Sequence, residues 1–388
     1  MRLGEPHGGR LVDRRVDTRK RERLIEEAKE CPRIMGNERI LSDVWQIATG
    51  GFSPIEGFLT QAEYESVVKE FRLTSGLLWS LPIVLPIDDN LASEVNCGDV
   101  LAIFDETNPV ALVRIEEIFK RDKKLEMDHI FGTRDLSHPG VQKLVYQPNS
   151  LIGGKIDVIN RPKSIIPEKE LEPRETRREF ERRGWKTIVA FQTRNIPHMA
   201  HEYLQRIGLE IADGLFIHPI IGERKSEDFP PWAIIESYEW VVNNLYPKDR
   251  VFLSFLWTWM YFAGPREALH HCLLRKNYGA THIIIGRLHA AHSGYYSEYA
   301  AHEFLRTLPI DELGIQPLLL KGPFYCKKCN MIATENTCGH SKSDRIEISM
   351  TFIREKLKEG KINEIPREII RNEILQIALR YINRNRTD

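Results

Sequence analysis

From residue 186 to residue 320 the chain alternates short apolar runs with segments of helical periodicity, and this pattern constrains the fold more than any other feature. The runs KTIVAF (186–191), LFIHPII (215–221), VFLSFL (251–256), THIIIG (281–286) and IQPLLL (315–320) read as strands. Helical segments separate them: one from near Pro197 to Ala212, then 230–245, 265–277 and about 297–308. Strands joined by helices of this length need crossover connections, so the sheet is parallel and covered on both faces. The expected unit is a doubly wound α/β domain. Ligands of such sheets sit outside the carboxyl ends of the strands, which makes the residues just past each strand the first candidates for chemistry.

The other segments place this unit in a larger α/β multidomain chain. At 388 residues the sequence exceeds the usual size of one core, and two or three domains are expected. Up to about Pro167 the segments LLWSLPIVLPI, DVLAIFD, NPVALVRIEEIF and SLIGGKIDVIN are rich in β-branched residues and broken by Gly, Pro and Asn. They predict a mainly β N-terminal domain over 1–167. The charged stretch EKELEPRETRREFERRG (168–184) reads as a solvated helix or linker opening a central domain over 168–320, and 321–388 are left for a small C-terminal α/β domain. Lysine plus arginine equals aspartate plus glutamate at 55 each, so nothing global favours a nucleic-acid or anionic-membrane partner. The basic run Arg14 to Arg23 contains Asp17 and Glu22 and reads as a solvated face. No apolar stretch is long enough to span a bilayer and MRLGEPHGGRLVDRR has no signal-like apolar region, so a soluble, cytoplasmic protein is expected.

Four strand ends should deliver polar groups to one edge: Gln192, Thr193, Arg194 and Asn195 after the first, His218 at the second, Trp257 and Tyr261 after the third, Arg287 and His289 after the fourth. Pro197 suits a first helical turn and Asn195 lies near a capping position. His198 and His201 then share one face of the opening turn, where free N–H groups and the helix dipole favour phosphate oxygens. Two imidazoles there can donate to a polyphosphate and stabilise a departing pyrophosphate. An isolated H-x2-H pair would equally suit a metal or two solvated rings. Its place after a strand, with Gln, Arg and Asn upstream and no third ligand nearby, favours anion chemistry.

Of the six cysteines, Cys31, Cys97 and Cys272 are isolated while Cys326, Cys329 and Cys338 cluster. Cys326-x2-Cys329-x8-Cys338-x-His340 offers four ligands in a loop-rich segment, the pattern of a closed, structural zinc site in a reducing compartment.

QTRNIPHMAHE (192–202) resembles the QTRN-x-x-H-x-x-H segment of the ATP sulfurylases (sulfate adenylyltransferases), and further matches follow in order. PHGGRLV (6–12) is similar to the family's PHGG segment, and GGFSPIEGFLTQAEYESVV (50–68) to its SP-x-x-GF motif with a Tyr-containing helix. HPIIGERKSED (218–228), YFAGPREALHHCLLRKNYGATHIIIGR (261–287) and RIEISMTFIREKLKEGKINEIP (345–366) continue the likeness. Two departures stand out. The family's second nucleotide loop usually reads GRDHAG, where this chain has Gly286, Arg287, Leu288, His289, Ala290 and Ala291, so an acid is replaced by leucine. The proline of the first motif also falls one position later than in the commoner QTRNP form.

The resemblance implies a PUA-like N-terminal domain and a nucleotidyltransferase that converts ATP and sulfate to adenosine 5′-phosphosulfate and pyrophosphate. It assigns sulfate to Gln192, Arg194 and the backbone at Ala290. ATP falls to Gln192, Asn195, His198, His201, Gly286, Arg287, Leu288 and His289, with Thr193 in a polar positioning role and Thr193, Arg194, Asn195, His198 and His201 as the catalytic set. It further implies Mg²⁺ on the pyrophosphate portion, zinc at the cysteine cluster as in some prokaryotic members, and a homodimer. No G-x4-GK[ST] occurs, so no fused P-loop kinase is expected. Two other readings stay open: an adenylyltransferase with a different acceptor, motivated by Leu288, and a nucleic-acid-binding module, which the neutral charge disfavours.

Overall fold

The computed structural model describes residues 4–222, 228–292 and 294–384. Residues 223–227 of the HPIIGERKSED segment and the first three of the N-terminal stretch lie outside the described residues.

The strands of the N-terminal part are β1 (Arg33–Met35), β2 (Gly57–Phe58), β3 (Leu85–Ile87), β4 (Val100–Asp105), β5 (Asn108–Arg114), β6 (Glu117–Lys120) and β7 (Ser150–Val158). They form one sheet in the order β1-β4-β5-β7-β2, with β3 and β6 also paired to β7. One strand serves four partners because its glycine pair lets other backbones come close. A Cβ on Gly154 would meet Arg114 O at 2.0 Å, and one on Gly57 of the SP-x-x-GF motif would meet Gly154 O at 2.0 Å. The helices α1 (Thr18–Glu30), α2 (Glu38–Thr49), α3 (Gln61–Glu70), α4 (Asp89–Glu94), α5 (Lys123–Glu126) and α6 (Pro139–Tyr146) belong to the same part, so it is more helical than a mainly β reading. LLWSLPIVLPI is strand at its last three residues alone. Its apolar side chains are nonetheless core, Leu81 and Ile83 being fully buried, and period alone does not separate a buried irregular run from a strand. The run up to Arg23 does present an exposed face over Thr18–Arg23, and α1 buries Leu24 and Ala28 against Ala102, Phe104 and Leu112.

The charged stretch holds α7 (Pro173–Arg182), which is less solvated than its composition suggests. Pro173, Thr176 and Phe180 are buried at helical spacing, and Phe180 stacks on Trp185 at 5.7 Å. Beyond it run β8 (Ile188–Phe191), α8 (Met199–Ile211), β9 (Gly214–Ile217), α9 (Pro231–Leu245), β10 (Val251–Leu253), α10 (Pro265–Asn277), β11 (His282–Ile285), α11 (Ala300–Arg306), α12 (Ile310–Leu313) and β12 (Gln316–Leu319). The sheet order is β10-β9-β8-β11-β12 with every pairing parallel. The chain winds outward from β8 through β9 to β10, then crosses to β11 and β12. The topological switch therefore lies between β8 and β11.

Side chains of this sheet alternate strictly between two cores. Ile188, Ala190, Phe216, Ile283 and Ile285 join the core shared with the N-terminal part, while Val189, Phe191, Leu215, Ile217 and Ile284 face the opposite core. That second core contains Ile353, Leu357, Ile369 and Ile374 from the C-terminal helices α13 (Met350–Lys358) and α14 (Asn372–Arg384) and the turn between them. A three-stranded antiparallel sheet, β14 (Met331–Ala333), β13 (Phe324–Cys326) and β15 (Arg345–Glu347) in that order, precedes α13. Among the described residues no helix is long and apolar enough to cross a membrane.

The first core is sealed by a polar seam at the end of α10. Asn277 Nδ2 donates to Gly51 O (2.9 Å) and Ser53 O (3.0 Å), and its Oδ1 accepts from His7 N (2.8 Å). The PHGG and SP-x-x-GF segments are thus anchored by one fully buried side chain. Replacing Asn277 by Ala leaves an N–H and two carbonyls buried without partners, each costing about 1–3 kcal/mol. Urea denaturation of Asn277→Ala should show a loss of at least about 3 kcal/mol; an unchanged midpoint would mean that the seam carries no such weight.

Candidate active site

At the switch point the loops after β8 and β11 enclose a cavity of about 330 Å³. Gln192, Thr193, Arg194, Asn195, His198, His201, Gly286, Arg287, Leu288, His289 and Ala290 all line it. His218, Trp257 and Tyr261 do not. Strand β10 ends at Leu253, earlier than its apolar run, and side chains in the irregular chain beyond it point in two directions. Met260 and Phe262 face the cavity, whereas the Trp259 and Tyr261 rings pack tilted against one another at 3.7 Å beside Arg39. Trp257 is buried at the seam, its carbonyl accepting from Gln46 Nε2 (3.0 Å), and His218 is fully buried against Phe216 and Tyr278.

The helix cap also differs from expectation. Helix α8 starts at Met199 with His198 as N-cap, so Asn195 is not the cap and Pro197 precedes the helix. A residue before proline is biased away from helical backbone, which keeps residues 195–197 irregular. His198 is extended (φ −143°, ψ 172°) and its Nδ1 accepts from His201 N at 3.4 Å. Thr193 Oγ1 instead accepts from Asn195 N (3.1 Å), shaping the loop upstream.

The rings of His198 and His201 stack at 3.6 Å, and His201 Nδ1 lies 3.3 Å from Tyr238 Oη. Burial pulls His198 down to about 3, and burial with the neighbouring ring holds His201 well below the ordinary imidazole range. Both rings are therefore neutral, and each still offers one N–H. Arg194 is held differently. Its Nη1 contacts Asp228 Oδ2 and Oδ1 at 3.0 and 3.3 Å, and its guanidinium lies 4.9 Å from the Phe262 ring centroid. Nε and Nη2 have no protein acceptor among the described residues. Arg287 stands between Glu347 (3.5 Å) and Glu298 (3.8 Å).

Leu288 and Ala290 both adopt left-handed backbone (φ 54° and 55°) with His289 outside that region. Such alternation turns successive N–H groups toward one side, the geometry of anion-binding backbone nests. Leu288 N is spent on Glu298 O (2.8 Å) and Ala290 O accepts from Gly264 N (3.2 Å), which fixes the turn. Sequence reading missed Asp228, Phe262, Glu267 and His271. Burial pushes Glu267 up to about 7, and His271 Nδ1 lies 2.8 Å from Gln192 Nε2 and 3.1 Å from His289 Nε2. The signal available was the four-residue spacing of Glu267, His271 and Arg275 along one helix.

In the C-terminal part the ligand atoms of Cys326, Cys329, Cys338 and His340 lie within 4.8 Å of one another. Cys329 Sγ is 3.6 Å from Cys338 Sγ, and His340 Nδ1 is 3.2, 3.4 and 3.5 Å from the sulfurs of Cys329, Cys326 and Cys338. Donors around a tetrahedral ion with bonds of about 2.0–2.3 Å sit roughly 3.3–3.8 Å apart. The set could hold one metal ion.

Buried histidines give the fold a pH dependence. Burial lowers His7 to about 4 and His198, His270 and His289 to about 3, and carries His201, His218 and His271 well below 6.5. Each is neutral when folded and takes up a proton on unfolding below its ordinary value. Its contribution is full above pH 6.5 and is lost toward pH 3, at about 1.4 kcal/mol per pH unit. Asp43, raised to about 6, and Glu267 oppose the trend but are outnumbered. Urea unfolding followed by tryptophan fluorescence should give a free energy at least about 2 kcal/mol lower at pH 5 than at pH 7. Equal stability would show that these rings are not held neutral.

The sequence matches the family model described as ATP-sulfurylase over residues 167–381 and that described as a PUA-like domain over residues 4–161. The sulfate adenylyltransferase of Hyperthermus butylicus is 44% identical over 381 residues, covering 98% of this chain and 97% of that protein. That of Persephonella marina is 43% identical over 380 residues, covering 97% and 98%, and that of Pyrococcus abyssi 38% over 381, covering 98% and 99%. Among solved structures, the hexameric APS kinase from Thiobacillus denitrificans superposes with a TM-score of 0.77 at 22% identity, covering 97% of this chain and 68% of that one, a likeness of fold. The family match takes in more than half of the chain and relatives of nearly equal length agree with it from end to end: the chain belongs to the ATP-sulfurylase family of nucleotidyltransferases.

Proposed function

We propose that the cavity between the β8 and β11 loops transfers the adenylyl group of ATP to sulfate, releasing pyrophosphate, by direct in-line attack without a covalent enzyme intermediate. The observation that carries this reading is the convergence of Arg194, Arg287, two neutral imidazoles and a left-handed backbone turn on one cavity. All are groups that meet anion oxygens.

Sulfate is fully ionised at neutral pH and needs no base. The barrier is the approach of a dianion to a polyphosphate, so the work is positioning and charge neutralisation. Arg194 takes sulfate through Nε and Nη2, since its pairing with Asp228 uses Nη1 and sets the plane of the fork. Gln192 and the backbone at Ala290 complete that subsite. Asn195, His198, His201, Gly286, Arg287, Leu288 and His289 take the nucleotide and its phosphates. Thr193 keeps Asn195 in place through its hydroxyl. Neutral imidazoles suit this role because a phosphate oxygen needs a donor, and an arriving anion raises their affinity for a proton.

Among the described residues no Asp or Glu lines the cavity, so Mg²⁺ would come with ATP and keep phosphate and water oxygens as ligands. It supplies charge neutralisation on the pyrophosphate portion. At the cysteine cluster three sulfurs and one imidazole fit zinc, with no open position for substrate, and the ion would tie the β13–β14 turn to the segment before β15.

Arg194→Ala should reduce sulfate-dependent exchange of pyrophosphate into ATP by about 100-fold or more. The melting temperature must be read beside the rate, because Asp228 loses its nearest cation; near-normal exchange would remove Arg194 from the mechanism. Metal analysis of the purified chain should find about one zinc per chain, most of it lost in Cys329→Ser and retained in Cys97→Ser. Full zinc in Cys329→Ser would exclude that ligand set.

A further inference from the structure

Helix α10 is buried on every side from Arg266 to Asn277, yet it carries Glu267, His271 and Arg275 four residues apart on one face. These three fully or almost fully buried groups reach the chain beyond four different strands. Glu267 accepts from Tyr261 N (2.9 Å) and Ala263 N (3.1 Å), past β10. Arg275 Nη2 donates to His218 O (3.1 Å), just past β9. His271 Nδ1 meets both Gln192 Nε2 (2.8 Å), past β8, and His289 Nε2 (3.1 Å), past β11, and the same Gln192 nitrogen lies 3.4 Å from His271 Nε2.

We infer that His271 is a positioning residue of the anion cavity, whose single Nδ1 fixes Gln192 of one loop and His289 of the other in mutual register. The inference rests on the sulfate adenylyl-transfer reading. The chemistry of one nitrogen enforces the coupling. An amide nitrogen can only donate, and Nδ1 is the nearer of the two ring nitrogens within its reach, so Nδ1 accepts from Gln192 and the ring proton is assigned to Nε2. Glu267 Oε1 lies 3.6 Å from Nε2, beyond hydrogen-bond distance, and the carboxylate instead holds the 261–263 segment. With Nδ1 as acceptor, His289 Nε2 is the donor of its pair. Both cavity side chains therefore have their polarity dictated from behind. Burial and the surrounding His289, Arg275 and His270 keep His271 from charging, which preserves Nδ1 as an acceptor. Gln192 Oε1 is buried without a partner.

The two amide isosteres separate positioning from packing. Asparagine places its polar group near the Nδ1 position, whereas glutamine places it near Nε2. In the sulfate-dependent pyrophosphate exchange assay, His271→Gln should raise the sulfate KM by about 10-fold, a loss of about 1.4 kcal/mol. His271→Asn should recover to within about 3-fold of the wild-type KM at a similar melting temperature. In a Gln192→Ala background, His271→Gln should add less than about 3-fold, because it acts through the side chain already removed. Equal defects in the two isosteres, or full additivity with Gln192→Ala, would overturn the positioning role while leaving the activity intact. A folded wild-type chain that exchanges pyrophosphate without any dependence on sulfate would overturn the activity reading instead, and this inference with it.

Discussion

A parallel sheet has no face that can be left to water, and the molecule is organised around burying both faces of β8–β12. One face is covered by α10 and the N-terminal part, the other by α8, α9 and the C-terminal helices. Alternate residues of β8 divide between these cores, so neither cover can be removed without exposing apolar side chains. The C-terminal segment after Lys321 is in this respect part of the central core, although the cluster of Cys326, Cys329 and Cys338 stands apart.

The same double cover creates the electrostatic character of the cavity. Loops at the switch point are hemmed by cores on both sides, so their imidazoles lose water and stay neutral. The positive groups on the cavity wall are the arginines Arg194 and Arg287. Arg194 is partnered by a carboxylate and an aromatic face, and both orient the guanidinium without occupying its remaining donors. Leu288 keeps a carboxylate out of the cavity wall at the position where the family usually has one, and Arg287 finds its acids in Glu298 and Glu347.

Much of the site was legible because strand ends and motifs are local. Gln192 to Asn195, the two histidines and Gly286 to Ala290 follow directly from strand boundaries and short spacings, and all of them line the cavity. His218, Trp257 and Tyr261 failed because an apolar run does not reveal where pairing stops. Three residues of β10 pair in the ladder, and beyond them Trp257, Trp259 and Tyr261 turn toward the N-terminal part while Met260 and Phe262 face the cavity. Asn195 failed as a cap because His198, an unusual capping residue, takes that place once proline has delayed the helix.

Hydrophobic period and crossover length determined the parallel α/β core, and residue type with local spacing determined the two loops that line the cavity and the Cys326 to His340 cluster. These are properties of neighbours in the chain. The partner of Arg194, the junction at His271, the neutrality of the histidines and the sharing of one core by the C-terminal helices were decided by tertiary structure alone. Each depends on groups brought together from 18 to 170 positions apart, and on the loss of water where they meet, as with Arg371 on Glu202 at a separation of 169. Desolvation is set by everything that surrounds a group, and no local stretch of sequence specifies it.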